Sequence, residues 1–223
     1  MTNLKFDAVL FDCDGVLVDS EPITNGVLRD LLEESGWALS PAECMRIFIG
    51  KAVKDEVPLI EAQIGKRIDE AWMVQFKERR DAGLRARLLP IDGAQAAVAT
   101  IHAQYAGRIA CASGADRFKV KLQLQMCALM SYFEGRIFSG HELPRSKPFP
   151  DVYLAAAAAL GVPAARCAVV EDSVTGVLAG VAAGATVFGY SPPQVGHSAP
   201  DALLAAGAVA VFTDMTALPG LVC

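Results

Sequence analysis

Short apolar runs alternate with helical patterns along this chain, and that alternation limits the fold more than any other feature. A strand candidate over residues 5 to 11 comes first, followed by "RIACAS", "RIFSG", "CAVVEDS", "ATVFGY" and "AVAVF". Between them lie helical stretches: about 94 to 106, the segment carrying Phe118, Leu122, Met126, Leu129 and Phe133, the alanine-rich 151 to 161, and about 174 to 183. Such alternation builds a parallel sheet with helices on both faces. Its crossovers are right-handed, and its ligands bind beyond the carboxyl ends of the strands.

One stretch breaks the rhythm. From Pro22 to about Leu88 the pattern is helical only. Ile23, Val27, Leu28, Leu31 and Leu32 mark one amphipathic face. Ser40-Pro41-Ala42-Glu43 is a capping box with proline at the first helical position. Ile68, Trp72, Phe76, Leu84 and Leu88 continue at steps of four or multiples of four, with Arg80 interrupting. The expected division is a core of residues 1–18 and 89–223 and an all-helical insert of residues 19–88, with three or four helices.

Composition narrows the function. Of 223 residues, 53% are apolar, enough for a real core, and the net charge is -5 with no basic run. Partners of nucleic acid or membrane type therefore have no support. No apolar segment is long enough to span a bilayer. "MTNLKFDAVLFDCDG" puts acids where a signal peptide needs its apolar region. Cys13, Cys44, Cys111, Cys127, Cys167 and Cys223 are scattered without a Cys-x-x-Cys pair, which reads as free thiols in a reducing cytoplasm. Three separated histidines argue against zinc.

"VLFDCDGVLVDSEP" carries a strand into two acids, Asp12 and Asp14. Asp14-Gly15 between apolar residues is also a hairpin signal. The acids weigh against a hairpin. Alternate strand residues share a face, and two like charges roughly 6 Å apart at an effective dielectric near 20 cost roughly 2.8 kcal/mol. A divalent cation, or a proton kept on one acid, removes that cost. Cys13 should point the other way, into the core.

Other strands also end on polar groups: Ala112-Ser113-Gly114, Glu171-Asp172-Ser173 and, in the loop after the third, Arg145-Ser146-Lys147-Pro148. All would gather at one edge of a parallel sheet. Carboxylates there can hold Mg²⁺, a hydroxyl and a lysine can hold phosphate oxygens, and a carboxylate can attack phosphorus.

"DCDGVLVDSE", "ASG", "SKPFPD" and "VVEDSVTGVLAGVAAG" resemble the four ordered motifs of the haloacid dehalogenase-like hydrolase superfamily. The insert is similar to the helical cap of its β-phosphoglucomutase-like branch. The resemblance implies a Rossmann-like core with an inserted cap, and an aspartyl phosphate formed on Asp12. Asp14 would be general acid and base, a role suited to a raised pKa. Mg²⁺ would be held by Asp12, the Asp14 carbonyl and Asp172, with Glu171 in or next to its shell. Ser113 and the amides beside Gly114 would hold phosphate oxygens. Lys147 would pair with Asp12 and the phosphate. Gly50 and Lys51 resemble the cap loop that meets substrate; a lysine closing a helix C-terminus is an equal reading of Lys51. Lys54 and Lys77 read as solvated helix faces.

The second aspartate, Asp14, disfavours the carbon–halogen and phosphonate branches, which resemble this chain but lack it. Thr24 stands where β-phosphoglucomutases carry a histidine, which favours hydrolysis over phosphomutase activity. The expected substrate is a small phosphorylated metabolite, by resemblance a sugar phosphate, acted on by a monomer or weak homodimer. A phospho-receiver domain shares the chemistry but needs no insert, and the intact polar set argues against a silent metal-binding module.

Overall fold

The computed structural model describes residues 4–193 and 197–223. Six strands form one sheet: β1 (Ala8–Phe11), β2 (Ile109–Ser113), β3 (Ile137–Ser139), β4 (Cys167–Glu171), β5 (Thr186–Tyr190) and β6 (Ala210–Phe212). All neighbours are parallel, in the order β3-β2-β1-β4-β5-β6. Each apolar run is thus a strand. β1 starts at Ala8 rather than at residue 5, because Asp7 turns outward to meet Arg166 at 2.9 Å.

Between β1 and β2 come α1 (Glu21–Glu34), α2 (Pro41–Phe48), α3 (Val57–Ile64), α4 (Glu70–Arg87) and α5 (Ala94–Gln104). The first four lie in the stretch expected as the insert and carry an apolar cluster of Leu28, Leu31, Leu32, Cys44, Phe48, Ile60 and Phe76. The Ser40 capping box is made in both directions. Arg80 does not interrupt the α4 face; it is buried in line with Phe76 and Leu84.

The later helices are α6 (Arg117–Met126), α7 (Met130–Phe133), α8 (Asp151–Ala159), α9 (Val174–Ala182), α10 (Pro200–Ala205) and α11 (Leu218–Val222). Strand alternation divides the core into two layers. Val9, Phe11, Ala168 and Val170 face α5, α6, α7 and α11; Ala8, Leu10, Cys167 and Val169 face α8, α9 and α10. All six cysteines are free, and Cys13 faces the core as expected. Among the described residues no helix is long and apolar enough to cross a membrane.

The helix expected through Phe118 and Phe133 is two helices. Ala128 takes φ 52° between α6 and α7. Phe118 and Met126 are 59% and 39% exposed, whereas Lys119 and Gln123 are buried. Leu122, Leu129 and Phe133 are buried as expected, and Lys119 and Gln123 join them inside, where this polar pair finds a partner.

The chain runs outward from β1 through β2 to β3, then returns to β4 on the other side of β1 and runs outward again to β6. The reversal leaves a crevice at the carboxyl ends of β1 and β4. Phe11 pairs with Val170, so Asp12 emerges level with Glu171 and Asp172.

Candidate active site

No hairpin forms at Asp14-Gly15. The Asp12 N–H donates to the Val170 carbonyl at 3.0 Å, and the chain then folds tightly, with Gly15 N–H donating to the Val18 carbonyl at 2.9 Å. Gly15 has φ +76°, and a Cβ there would lie 2.1 Å from Asp172 Oδ2. Backbone conformation and space both require glycine.

Lys147 arrives from the loop after β3. Its Nζ donates to Asp12 Oδ1 at 2.7 Å and to Glu171 Oε1 at 2.6 Å, over the Tyr153 ring. Glu171 is fully buried and also accepts from Tyr153 Oη at 2.7 Å and from the Asp172 and Ser173 amides. It therefore braces Lys147 and the turn after β4. Asp12, Glu171 and Asp172 each offer an oxygen within 4.8 Å of the others. One lysine cannot offset three buried carboxylates. Burial pushes Asp12 up to about 7 against the pull of Lys147, with repulsion from Glu171 and Asp14 adding to the rise. Burial, Glu171 and Asp12 hold Asp172 well above the usual carboxylate range.

Asp14 behaves in the opposite way. Burial, the largest influence, raises it, but the charge and hydrogen bond of Lys119 and the hydrogen bonds from Ser20 and Gln123 together outweigh burial, and its carboxyl sits below the usual range. This corrects the expectation of a raised Asp14. Lys119 Nζ and Gln123 Nε2 each lie 2.7 Å from Asp14 Oδ1, and Ser20 Oγ donates to the same oxygen. Among the described residues Oδ2 has no hydrogen-bond partner. The carboxyl is held at one oxygen and open at the other.

Ser113 is buried at the end of β2, where its Oγ accepts from the Ala115 amide at 3.0 Å. It is not a helix cap; Asp116 caps α6, accepting from Lys119 N–H at 2.9 Å. Gly114 lies beside Lys147, where a Cβ would come 4.0 Å from the lysine Cδ. Gly50, at φ +67°, lies against Ser173, where a Cβ would come within 2.6 Å of Cβ. The insert thus meets the turn after β4. Lys51 lines the same cavity and pairs with Glu56 at 3.2 Å. The fold therefore brings Asp12, Asp14, Ser113, Gly114, Lys147, Asp172, Gly50 and Lys51 to one cavity.

The family model described as a haloacid dehalogenase-like hydrolase matches residues 6–184. The chain belongs to this family. Among relatives of this hydrolase, 6-phosphogluconate phosphatase of Escherichia coli K12 is 29% identical over 97% of this chain and 95% of its own. Hexitol phosphatase B of the same organism is 30% identical over 94% of each. Phosphorylated carbohydrates phosphatase of Thermotoga maritima is 30% identical over 92% of this chain and 93% of its own. A haloacid dehalogenase-like protein from Agrobacterium tumefaciens superposes with TM-score 0.81 at 32% identity over 97% of each chain. A family hydrolase from Deinococcus radiodurans, solved with bound phosphate and sodium, gives 0.77 at 34% identity over 99% of each.

Several residues of this hydrolase's site escaped the sequence reading. Lys119 and Gln123, four apart amid apolar neighbours, were the available signal for the Asp14 clamp. Glu21 faces the same cavity; burial and Asp14 push it up to about 7 against the pull of Lys119. Arg80 reaches from α4 to Asp116 at 2.9 Å and joins the insert to the core.

Proposed function

We propose that this hydrolase is a Mg²⁺-dependent phosphatase of small phosphorylated carbohydrates, acting through an aspartyl phosphate on Asp12. The observation that carries this reading is the Lys147 bridge between Asp12 and Glu171, set beside Asp172. The excess of buried carboxylate suits a hard divalent cation, and the Gly15 turn leaves the space that Asp172 fills. Asp12, Asp172 and the Asp14 carbonyl would hold Mg²⁺, with Glu171 within reach. Bound there, Mg²⁺ supplies positive charge that offsets the carboxylates and polarises phosphate oxygens.

Asp12 attacks phosphorus while Lys147 and Ser113 hold phosphate oxygens, helped by the backbone at Gly114. Asp14 protonates the leaving oxygen and then takes a proton from the hydrolysing water. Lys119 favours ionised Asp14, which suits the second step. For the first step, negative charge on the incoming phosphate raises the affinity of Asp14 for a proton. Residues 19–88 act as a cap over this chemistry, with Gly50 and Lys51 at its contact with substrate. The names of the relatives support the carbohydrate class. Phosphomutase activity is disfavoured because Thr24, whose buried Oγ1 lacks a partner among the described residues, has no titratable group.

Phosphate release from p-nitrophenyl phosphate, sugar phosphates and β-glucose 1-phosphate, with Mg²⁺ and with EDTA, tests the reading. Mg²⁺-dependent release is expected. Isomerisation of β-glucose 1-phosphate in its place would make the protein a mutase, and no turnover on any ester would overturn the reading.

A further inference from the structure

The charges that line the cavity pair off almost completely. Lys147 is engaged by Asp12, Lys119 by Asp14, Arg80 by Asp116 and Asp81, and Lys51 by Glu56. Two cations are left over. Lys54, half-buried in the turn before α3, and Lys77 on α4 both line the cavity and make no ion pair among the described residues. Lys77 is exposed, as expected from sequence, whereas Lys54 is half-buried. Both belong to the insert, whereas Asp12, Asp172 and Glu171, the acids that suit a metal, lie at the sheet.

The two lysines share one corner. Both act on His141, which enters the cavity from the core just after β3. Burial and these lysines hold that imidazole below its usual value, against the opposite pull of Asp116 and Asp55. Two ammonium groups on one cavity wall without counter-ions, one of them half-buried and the other exposed, favour an anion between them. The phosphate of a substrate is already served by Lys147, Ser113 and the metal cluster. A second anionic group on the same molecule would meet the insert wall.

We infer that Lys54 and Lys77 form a subsite for a second anion, so that the preferred substrate is a phosphorylated carbohydrate acid, with phosphate at one end and carboxylate at the other. This rests on the phosphatase reading above and sharpens it. Neither lysine touches the reacting atoms; they set specificity.

The test compares two esters that differ only at the far end: D-gluconate 6-phosphate, which has a carboxylate there, and D-glucitol 6-phosphate, which has a hydroxymethyl group. A charge-assisted contact predicts at least about a tenfold higher kcat/KM for the acid. In Lys54→Gln and Lys77→Gln the ratio should fall toward one, through a higher KM for the acid. Their circular dichroism should match wild type, because neither side chain is buried in the core. Equal kcat/KM for the two esters, or variants that keep the wild-type ratio, overturns the subsite alone. Failure to hydrolyse either ester or p-nitrophenyl phosphate overturns the phosphatase reading and this inference with it.

Discussion

Lys119 Nζ, buried, lies 2.7 Å from Oδ1 of the partly buried Asp14. A buried lysine on the proposed acid/base gives the first prediction. Removing the cation in Lys119→Met raises the pKa of Asp14, so the limb of the kcat/KM profile that reports its ionisation should move to higher pH. Because a well-placed acid/base contributes roughly 10²–10⁴-fold, kcat should fall by tenfold or more. A lower rate with an unmoved profile would make Lys119 a packing residue only.

Asp14→Ala should cost far more kcat than Lys51→Ala on a sugar phosphate. Asp14 presents a free oxygen to the cavity, whereas Lys51 is already occupied by Glu56. The Lys51 variant should act mainly on KM. Steady-state kinetics of the two variants decides the order, and the reverse order would assign the proton transfers to the cap.

Mg²⁺ binding should weaken in acid. The carboxyl of Asp12 is pushed up to about 7 in the folded protein from an ordinary 3.8. Between those values the folded chain keeps a proton that the unfolded chain has lost. Without metal, this group's contribution to stability is therefore lost as pH rises through the window. Metal binding must displace the proton, so the apparent Kd should rise by up to about tenfold per pH unit below 7. Titration calorimetry from pH 5.5 to 8 measures this, and a flat Kd would contradict it.

Arg80 and Asp116 should be energetically coupled. Arg80 is 5% exposed and crosses from the insert to the N-terminus of α6. Arg80→Met should lower the urea-derived stability by about 1–3 kcal/mol, and its loss should not add to that of Asp116→Asn. Simple additivity would show that the contact holds nothing together.

Much of this was legible in the sequence because the relevant signals are local. Strand runs, the Ser40 box and the acids following Phe11 and Val170 each sit within a few residues, and parallel register carries them to one edge. The Asp14 clamp was not legible. Phe118 and Met126 read as part of an apolar face of which only Leu122, Leu129 and Phe133 are buried, and only the position of Asp14 explains why Lys119 and Gln123 turn inward. Arg80 looked like an interruption for the same reason: its partner Asp116 lies 36 positions further on. Lys54 looked solvated because nothing in its own turn shows that the core closes a cavity over it, whereas Lys77 is exposed as its sequence suggested and still lines that cavity.

The most direct test of the central claim is a covalent trap. p-Nitrophenyl phosphate has a leaving group that needs no proton, so Asp14→Asn should still transfer phosphate to Asp12 but hydrolyse it slowly. Acid quench with radiolabelled ester and Mg²⁺, followed by peptide mapping, should place the label on Asp12, and Asp12→Asn should abolish it. Label on Ser113, or labelling that survives Asp12→Asn, would contradict the account.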